Sequence, residues 1–292
     1  MDFLQKSLAA RSHIQFTAVD VTETARILAS RHLCGPTAGL ALAEGLTAAA
    51  LLSNQAATPD EAAAMHLSCD GPLQGLLVEA LGCGSLRGYT RRKVLNDFDG
   101  NATIESAPAF GAGGEAHIIK TLPGRILNEA SLAIKAPLCR LAVARYFNQS
   151  LQIPAAVEIR VIATPERLVS ARGLLAERMP DTDPNVFIRI LEQFDQQAVY
   201  KTLSESADMD VFRRQFDLPD LENRERRELR FQCRCSRERA LSSFVAFEDK
   251  ERQKIIASGE PQHVICHMCG EDYIFPSSEI ATLPSSSSAK EG

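Results

Sequence analysis

The 292-residue sequence contains no tryptophan, and aromatic residues make up only 6% of it. A surface that stacks on bases needs aromatic side chains interleaved with basic ones, and that interleaving is absent. Positive charge is not in excess either: 32 Lys and Arg stand against 37 Asp and Glu, a formal net charge of -5. A protein whose main task is coating nucleic acid needs the opposite balance, so no nucleic-acid partner is expected. The opening stretch, MDFLQKSLAARSHIQF, lacks the continuous apolar core and the small-residue cleavage site of a secretory leader. The most apolar run, AGLALAEGLTAAALL, carries Glu44 and two glycines and is shorter than the ~20 apolar residues that span a bilayer. It reads as a buried helix, so no membrane partner is expected and the cytoplasm is the expected location.

Catalytic signatures are missing as well. There is no G-x-x-x-x-G-K-[ST] phosphate loop, which argues for an ATP-independent protein, and no G-x-S-x-G or H-E-x-x-H constellation. GAGGEA at 111–116 fits G-x-G-x-x-A, but it neither follows a convincing strand nor opens a helix. His32, His66 and His117 are isolated and read as packed or surface residues. The chain is not expected to be an enzyme.

The hydrophobic patterning is that of an α+β protein. Ile14, Phe16 and Ala18 alternate with Gln15 and Thr17, a strand signal. Thr22 reads as the N-cap of a helix running to about Cys34, stopped by Gly35-Pro36, and a second helix covers 37–54. AMHLSC, GLLVEAL and LRGYTRRKVL read as strands, 96–116 as loop, and AHIIKTL and RILNEASLAI as strands again. PLCRLAVARYFNQS reads as an amphipathic helix, and AAVEIRVIA and RLVSARGLLAE close a mixed-sheet core domain at 1–180. The stretch 181–230 is dense in charge of both signs, with Ile190, Leu191 and Phe194, then Val211, Phe212 and Phe216, at helical spacing. It reads as a helical linker. Residues 231–280 form a small module with short helices after Ser236, a candidate N-cap, and 281–292 reads as a disordered tail.

Cysteine is where the sequence is unusual. Of eight cysteines, Cys34, Cys69, Cys83 and Cys139 are scattered and read as small buried hydrophobes. The other four are paired: Cys233 and Cys235 in FQCRCSRERA, Cys266 and Cys269 in VICHMCGEDY. A C-x-C disulfide closes a very small, strained ring, and clustered cysteines in a reducing compartment point first to metal or redox chemistry. Two short thiol pairs separated by ~30 residues are the arrangement of a tetrahedral four-cysteine zinc site, so one zinc per chain is expected at Cys233, Cys235, Cys266 and Cys269. Four thiolates saturate that ion, which leaves His263 and His267 outside the ligand set.

The run Cys233-x-Cys235-Ser236-Arg237-Glu238-Arg239, followed by Cys266-x-x-Cys269-x-x-x-Tyr273-x-Phe275, closely resembles the zinc domain of the 33 kDa chaperonin family, the redox-regulated heat-shock chaperones. SRHLCGPTAGLALAEGLTAAALL, GPLQGLLVEA, LRGYTR and ARYFNQSLQIP resemble core segments of the same family. The loop around 96–120 departs from the family pattern, and Arg172-Gly173 stands where the family has Gly-Gly. The resemblance implies a holdase that binds unfolding client proteins under oxidative stress. It also implies disulfides Cys233–Cys235 and Cys266–Cys269 in the oxidised state, zinc release, a labile linker and an active homodimer. A zinc-ribbon protein binding RNA or ribosomes is the alternative. Against it, charge between 231 and 275 is nearly balanced, with Asp249, Glu251, Glu271 and Asp272 among the acids.

Overall fold

The computed structural model describes residues 1–136 and 138–284, and the chain divides after Gln232 into two compact units. The first unit opens with a hairpin of β1 (Phe3–Ala9) and β2 (Ile14–Asp20), followed by α1 (Thr22–Arg31) and α2 (Pro36–Leu52). A meander of β3 (Ala62–Cys69), β4 (Gly75–Leu81) and β5 (Ser85–Thr90) comes next. The expected loop at 96–116 holds two single turns, α3 (Asn96–Asp99) and α4 (Ala107–Phe110). A hairpin of β6 (Gly114–Leu122) and β7 (Arg125–Ile134) leads to α5 (Cys139–Arg145), whose end widens into a π-turn, and then to the hairpin β8 (Ala155–Ala163) and β9 (Leu168–Arg178). The unit finishes with α6 (Pro184–Asp195), α7 (Ala198–Glu205), α8 (Met209–Gln215) and two strands, β10 (Leu221–Glu228) and β11 (Arg230–Phe231).

These strands form two sheets, in the orders β10-β1-β2-β9-β8 and β11-β5-β4-β3-β6-β7. All pairings are antiparallel except the short β11–β5 contact. Helix α2 packs against strands of both sheets, which is why it is apolar on every side. By length and composition Pro36–Gln55 could cross a membrane, yet 89% of its apolar window is buried inside the fold. Its close approach to β9 depends on Gly173, where a Cβ would come within 2.8 Å of Thr47 Cγ2. The N-terminus of α1 is not capped by Thr22. The carboxylate of Asp2, 4% exposed, accepts from Glu23 N at 2.9 Å and Thr24 N at 2.6 Å, satisfying first-turn donors from the far end of β1.

The other face of the five-stranded sheet is covered by the linker helices. Phe187, Ile190 and Phe194 of α6, Val199 and Leu203 of α7, and Met209 and Phe212 of α8 form one buried cluster with Ile14, Phe16, Ala18, Ala156, Leu174 and Ala176 of the sheet. Phe216 stacks on Phe16 with ring centroids 5.1 Å apart. Asp183 and Asp208 cap α6 and α8 by accepting from Asn185 N and Asp210 N. Each fully buried large apolar side chain contributes roughly 1.5–3 kcal/mol, so the stripe holds these short helices where propensity alone would not.

The helical reading fails for LENRERRE. Residues 221–228 are the edge strand β10, paired antiparallel with β1. No apolar alternation announces it, because its partners are polar. Ser7 Oγ donates to Asn223 Oδ1 at 2.8 Å, Arg226 donates to Gln5 Oε1 at 2.8 Å and lies over the Phe3 ring, and Lys6 pairs with Glu225. β1, whose polar Gln5, Lys6 and Ser7 conceal its strand character, pairs with β2 on its other side. A charged edge also discourages pairing with other chains.

The second unit contains α9 (Arg237–Ser242), α10 (Asp249–Ser258), a hairpin of β12 (Gln262–Ile265) and β13 (Asp272–Phe275), and α11 (Ser277–Ile280). Its apolar cluster has three buried members, Phe244, Phe275 and Ile280, with Leu283 packed against them. The remainder of the expected disordered tail, 285–292, lies outside the described residues.

One core carboxyl makes a measurable signature. Glu44 of α2 accepts a 2.6 Å hydrogen bond from Ser106 Oγ, and burial pushes its pKa up to about 7, against smaller lowering by Ser106 and Arg140. The raised folded-state value means that Glu44 favours folding fully below its ordinary value of 4.5, and that this contribution is lost as pH rises through about 7. Glu44→Gln is therefore expected to gain stability relative to the parent chain as pH rises from 4.5 to 8, by on the order of 1–3 kcal/mol. Denaturant melts of both proteins across that range check it.

Candidate metal centre

The two cysteine pairs reach one point by different local means. Cys233 and Cys235 lie on the extended segment before α9, whose N-cap is Ser236, its hydroxyl accepting from Arg239 N at 3.2 Å. Cys266 and Cys269 lie in the turn that closes the β12–β13 hairpin. There Cys266 N donates to Glu271 O at 2.8 Å, and the Cys266 carbonyl accepts from Cys269 N at 3.3 Å and Gly270 N at 2.8 Å. Gly270, at φ +74°, supplies the left-handed residue that such a turn needs.

All four Sγ atoms lie within 4.8 Å of one another. Cys233 Sγ is 3.8 Å from Cys266 Sγ, and Cys235 Sγ is 3.5 Å from Cys269 Sγ. A tetrahedral ion with Zn–S bonds near 2.3 Å requires sulfur–sulfur edges of about 3.8 Å. The sulfurs are free thiols, and their separations far exceed a disulfide's ~2.05 Å. The donor set, four soft sulfurs with no open position, fits a closed structural zinc site rather than a catalytic one. This is the one such cluster among the described residues. His263 is engaged with Asp272 at 2.8 Å, and neither it nor His267 belongs to the cluster.

Burial pushes the Cys269 thiol well above its ordinary value, and its hydrogen bonds with the other sulfurs push it further. Burial also raises Cys266, with Cys233 and Cys235 adding to the rise and the Cys269 hydrogen bond opposing it. Four adjacent thiolates therefore require a cation among them. Tyr273 Oη donates to Cys235 Sγ at 3.2 Å, and that hydrogen bond is the main cause of the phenol's raised pKa. It orients one ligand from outside the sulfur shell. Arg237 lies 4.3 Å from the Phe275 ring centroid, donates to Ile274 O at 2.9 Å and pairs with Glu279. Arg239 donates to Arg234 O at 2.9 Å, bracing the segment that carries Cys233 and Cys235. The Ser236 cap is local and legible in the sequence, whereas the roles of Arg237 and Tyr273 are not, since their partners lie more than thirty residues away.

Features set aside in the sequence stay apart from the cluster. His32 is buried, with Nε2 2.9 Å from Gly88 O, and His117 pairs with Glu129 at 2.7 Å. GAGGEA runs from a turn into the first residues of β6, the turn held by Asp70, which accepts from Ala112 N and Gly113 N.

A family model described as Hsp33 protein matches residues 2–276. The 33 kDa chaperonin of Geobacillus kaustophilus is 29% identical over 97% of each chain. That of Thermus thermophilus is also 29% identical, over 97% of this chain and 86% of the other. The crystal structure of the 33 kDa chaperonin (heat shock protein 33 homolog) from Thermotoga maritima superimposes with a TM-score of 0.84 over 96% of each chain at 21% identity, a likeness of fold. These relatives are named as chaperonins rather than as enzymes.

Purified under reductant and without chelator, the chain is expected to carry one zinc. Cys233→Ser or Cys266→Ser should lower that content and remove the protease resistance of the second unit while sparing the core at 1–180. Tyr273→Phe keeps all four ligands and should weaken metal retention about tenfold. Elemental analysis, chelator competition and limited proteolysis check these outcomes.

Proposed function

This chain belongs to the Hsp33 family of chaperones, and from that premise we propose that it is a redox-regulated, ATP-independent holdase of the cytoplasm. Oxidation of Cys233, Cys235, Cys266 and Cys269 loosens the chain from about residue 181 onward and lets it hold unfolding proteins. The observation that carries the reading is the cluster of four sulfurs within 4.8 Å, in which every metal donor is oxidisable. When bound, zinc would keep the sulfurs as thiolates and tie the Cys233–Cys235 segment to the β12–β13 turn.

The redox step belongs to the cysteines. A peroxide takes two electrons from a thiolate pair, combines with two protons to leave as water, and a sulfur–sulfur bond forms. Two pairs consume two peroxides, and disulfide sulfurs no longer serve as ligands. In the folded cluster the 3.8 and 3.5 Å contacts run between the pairs, not within them. Once the unit opens, the shortest loops close at the least entropic cost, which favours Cys233–Cys235 and Cys266–Cys269.

The magnitudes support a large response. Structural zinc contributes roughly 10–16 kcal/mol in small finger peptides, whereas a whole domain is stable by about 5–15 kcal/mol. A unit whose apolar cluster has three buried residues does not hold without its ligand set. β10 and β11 run directly into Cys233, so unfolding beyond that residue frees the C-terminal anchor of the linker. The linker helices rest on the core sheet, so their release uncovers two apolar surfaces. One is the stripe Phe187, Ile190, Phe194, Phe212 and Phe216; the other is the sheet face of Ile14, Phe16, Ala156 and Leu174. Both suit unfolded clients, and pairing of such surfaces between two copies accounts for an oxidised homodimer. The charges of 181–230 keep the opened segment soluble.

Peroxide with mild heat is expected to raise free zinc, protease sensitivity after residue 180 and protection of a thermally unfolding client together. Peptide mapping should find the two within-pair disulfides. If zinc is released and both disulfides form while the client aggregates as fast as alone, the holdase reading is wrong. The RNA-binding reading then takes its place, and a gel shift at physiological salt tests it.

A further inference from the structure

Apolar packing is not all that holds the linker to the core. Arg160 on β8 and Arg172 on β9 are register partners, and both reach α7. Arg172 Nε donates to Asp20 Oδ2 at 2.9 Å, which fixes the guanidinium from the core side. Its Nη1 donates to the carbonyl oxygens of Leu203 and Ser204, each at 3.2 Å. These are last-turn carbonyls of α7, which lack intrahelical donors and carry the negative end of the helix dipole. The helix ends at Glu205, followed by the extended Ser206, with no left-handed glycine to close it. Arg172 therefore takes the place of a C-terminal cap, supplied from a different part of the chain.

Arg160 grips the same helix from the neighbouring strand. Its guanidinium lies 4.2 Å from the Tyr200 ring centroid and donates to the Tyr200 hydroxyl. Its Nε donates to Ser204 Oγ at 3.1 Å, so Ser204 is bound through its side chain by one arginine and through its carbonyl by the other. The Arg172 and Asp20 side chains are only 20% and 18% exposed, so water screens their charge-assisted bonds incompletely. Apolar contact is non-directional. The two arginines give α7 a fixed position along the sheet.

We propose that Arg160 and Arg172 form a latch that holds α7, and with it the linker, on the core sheet independently of the metal ligands. Loss of the ligand set and release of the linker are then separate thresholds, the second set by these two side chains. The proposal rests on the reading of 181–230 as the segment that opens.

The test uses the full-length, reduced, zinc-loaded chain. Tyr200→Leu with Ser204→Ala removes the partners of Arg160 from the linker side and leaves the Arg172–Asp20 pair intact. Arg172→Met removes the other half. Both are expected to retain zinc in a chelator assay, to keep residues 1–180 resistant to protease, and to be cleaved within 181–220 roughly tenfold faster or more than the parent. Arg172→Lys, which keeps the charge but not the planar fork, is expected to fall between. Unchanged cleavage in both variants overturns the latch. So does cleavage that accelerates only in step with zinc loss or with cutting of the core. A client assay on the same samples separates the two readings: an opened linker that protects no client supports the latch and counts against the holdase.

Discussion

Four sulfurs within 4.8 Å of one another are the constraint on which the C-terminal unit depends. Around them stand a two-stranded hairpin, short helices and an apolar cluster with three buried members. Chains of this size rarely hold a fold on so small a core without a metal or a covalent staple. The choice of donors makes that staple conditional. A site of histidines or carboxylates would survive a peroxide that a four-thiolate site does not. On the proposed function, fold stability and chemical reactivity are vested in the same atoms, beside which Tyr273 donates to Cys235 Sγ and Arg237 is braced against Phe275.

The five-stranded sheet has an apolar surface on each side. One side meets α2, which packs against strands of both sheets. The other meets α6, α7 and α8 through a cluster centred on Phe16, Phe212 and Phe216. The two coverings differ in kind. Helix α2 is apolar all round and enclosed. The linker helices are amphipathic, with α6 and α8 capped by Asp183 and Asp208, and they are flanked by charge. On the proposed function, that asymmetry separates a permanent core from a removable cover, and the Arg160 and Arg172 contacts act on the removable one.

The end of the first unit is built as a strap. β10 adds a charged edge to the five-stranded sheet, and two residues later β11 joins the six-stranded sheet beside β5. Leu229 N donates to Asp2 O and Arg230 N to Gly84 O between them. Arg31 lies over the Phe231 ring. The strap binds both sheets through backbone pairing and polar side chains, with few apolar contacts of its own, immediately before Cys233, the first of the four clustered cysteines.

The α+β class, the apolar helix at 36–52, the amphipathic stripes of the linker and the four-sulfur cluster are all legible in the unfolded chain. Each is written in short-range spacing: alternation at two, helical recurrence at three to four, or thiols one and two residues apart. What those pieces touch is settled only by folding. The strand character of LENRERRE depends on FLQKSLA, more than two hundred residues away in sequence, whose free edge satisfies its polar groups. Asp2 caps α1, Arg172 caps α7 and Tyr273 steadies Cys235 through hydrogen bonds between residues brought together by the fold. A hydrogen bond leaves no periodic trace in sequence, because its two ends are related by folded distance and not by chain position.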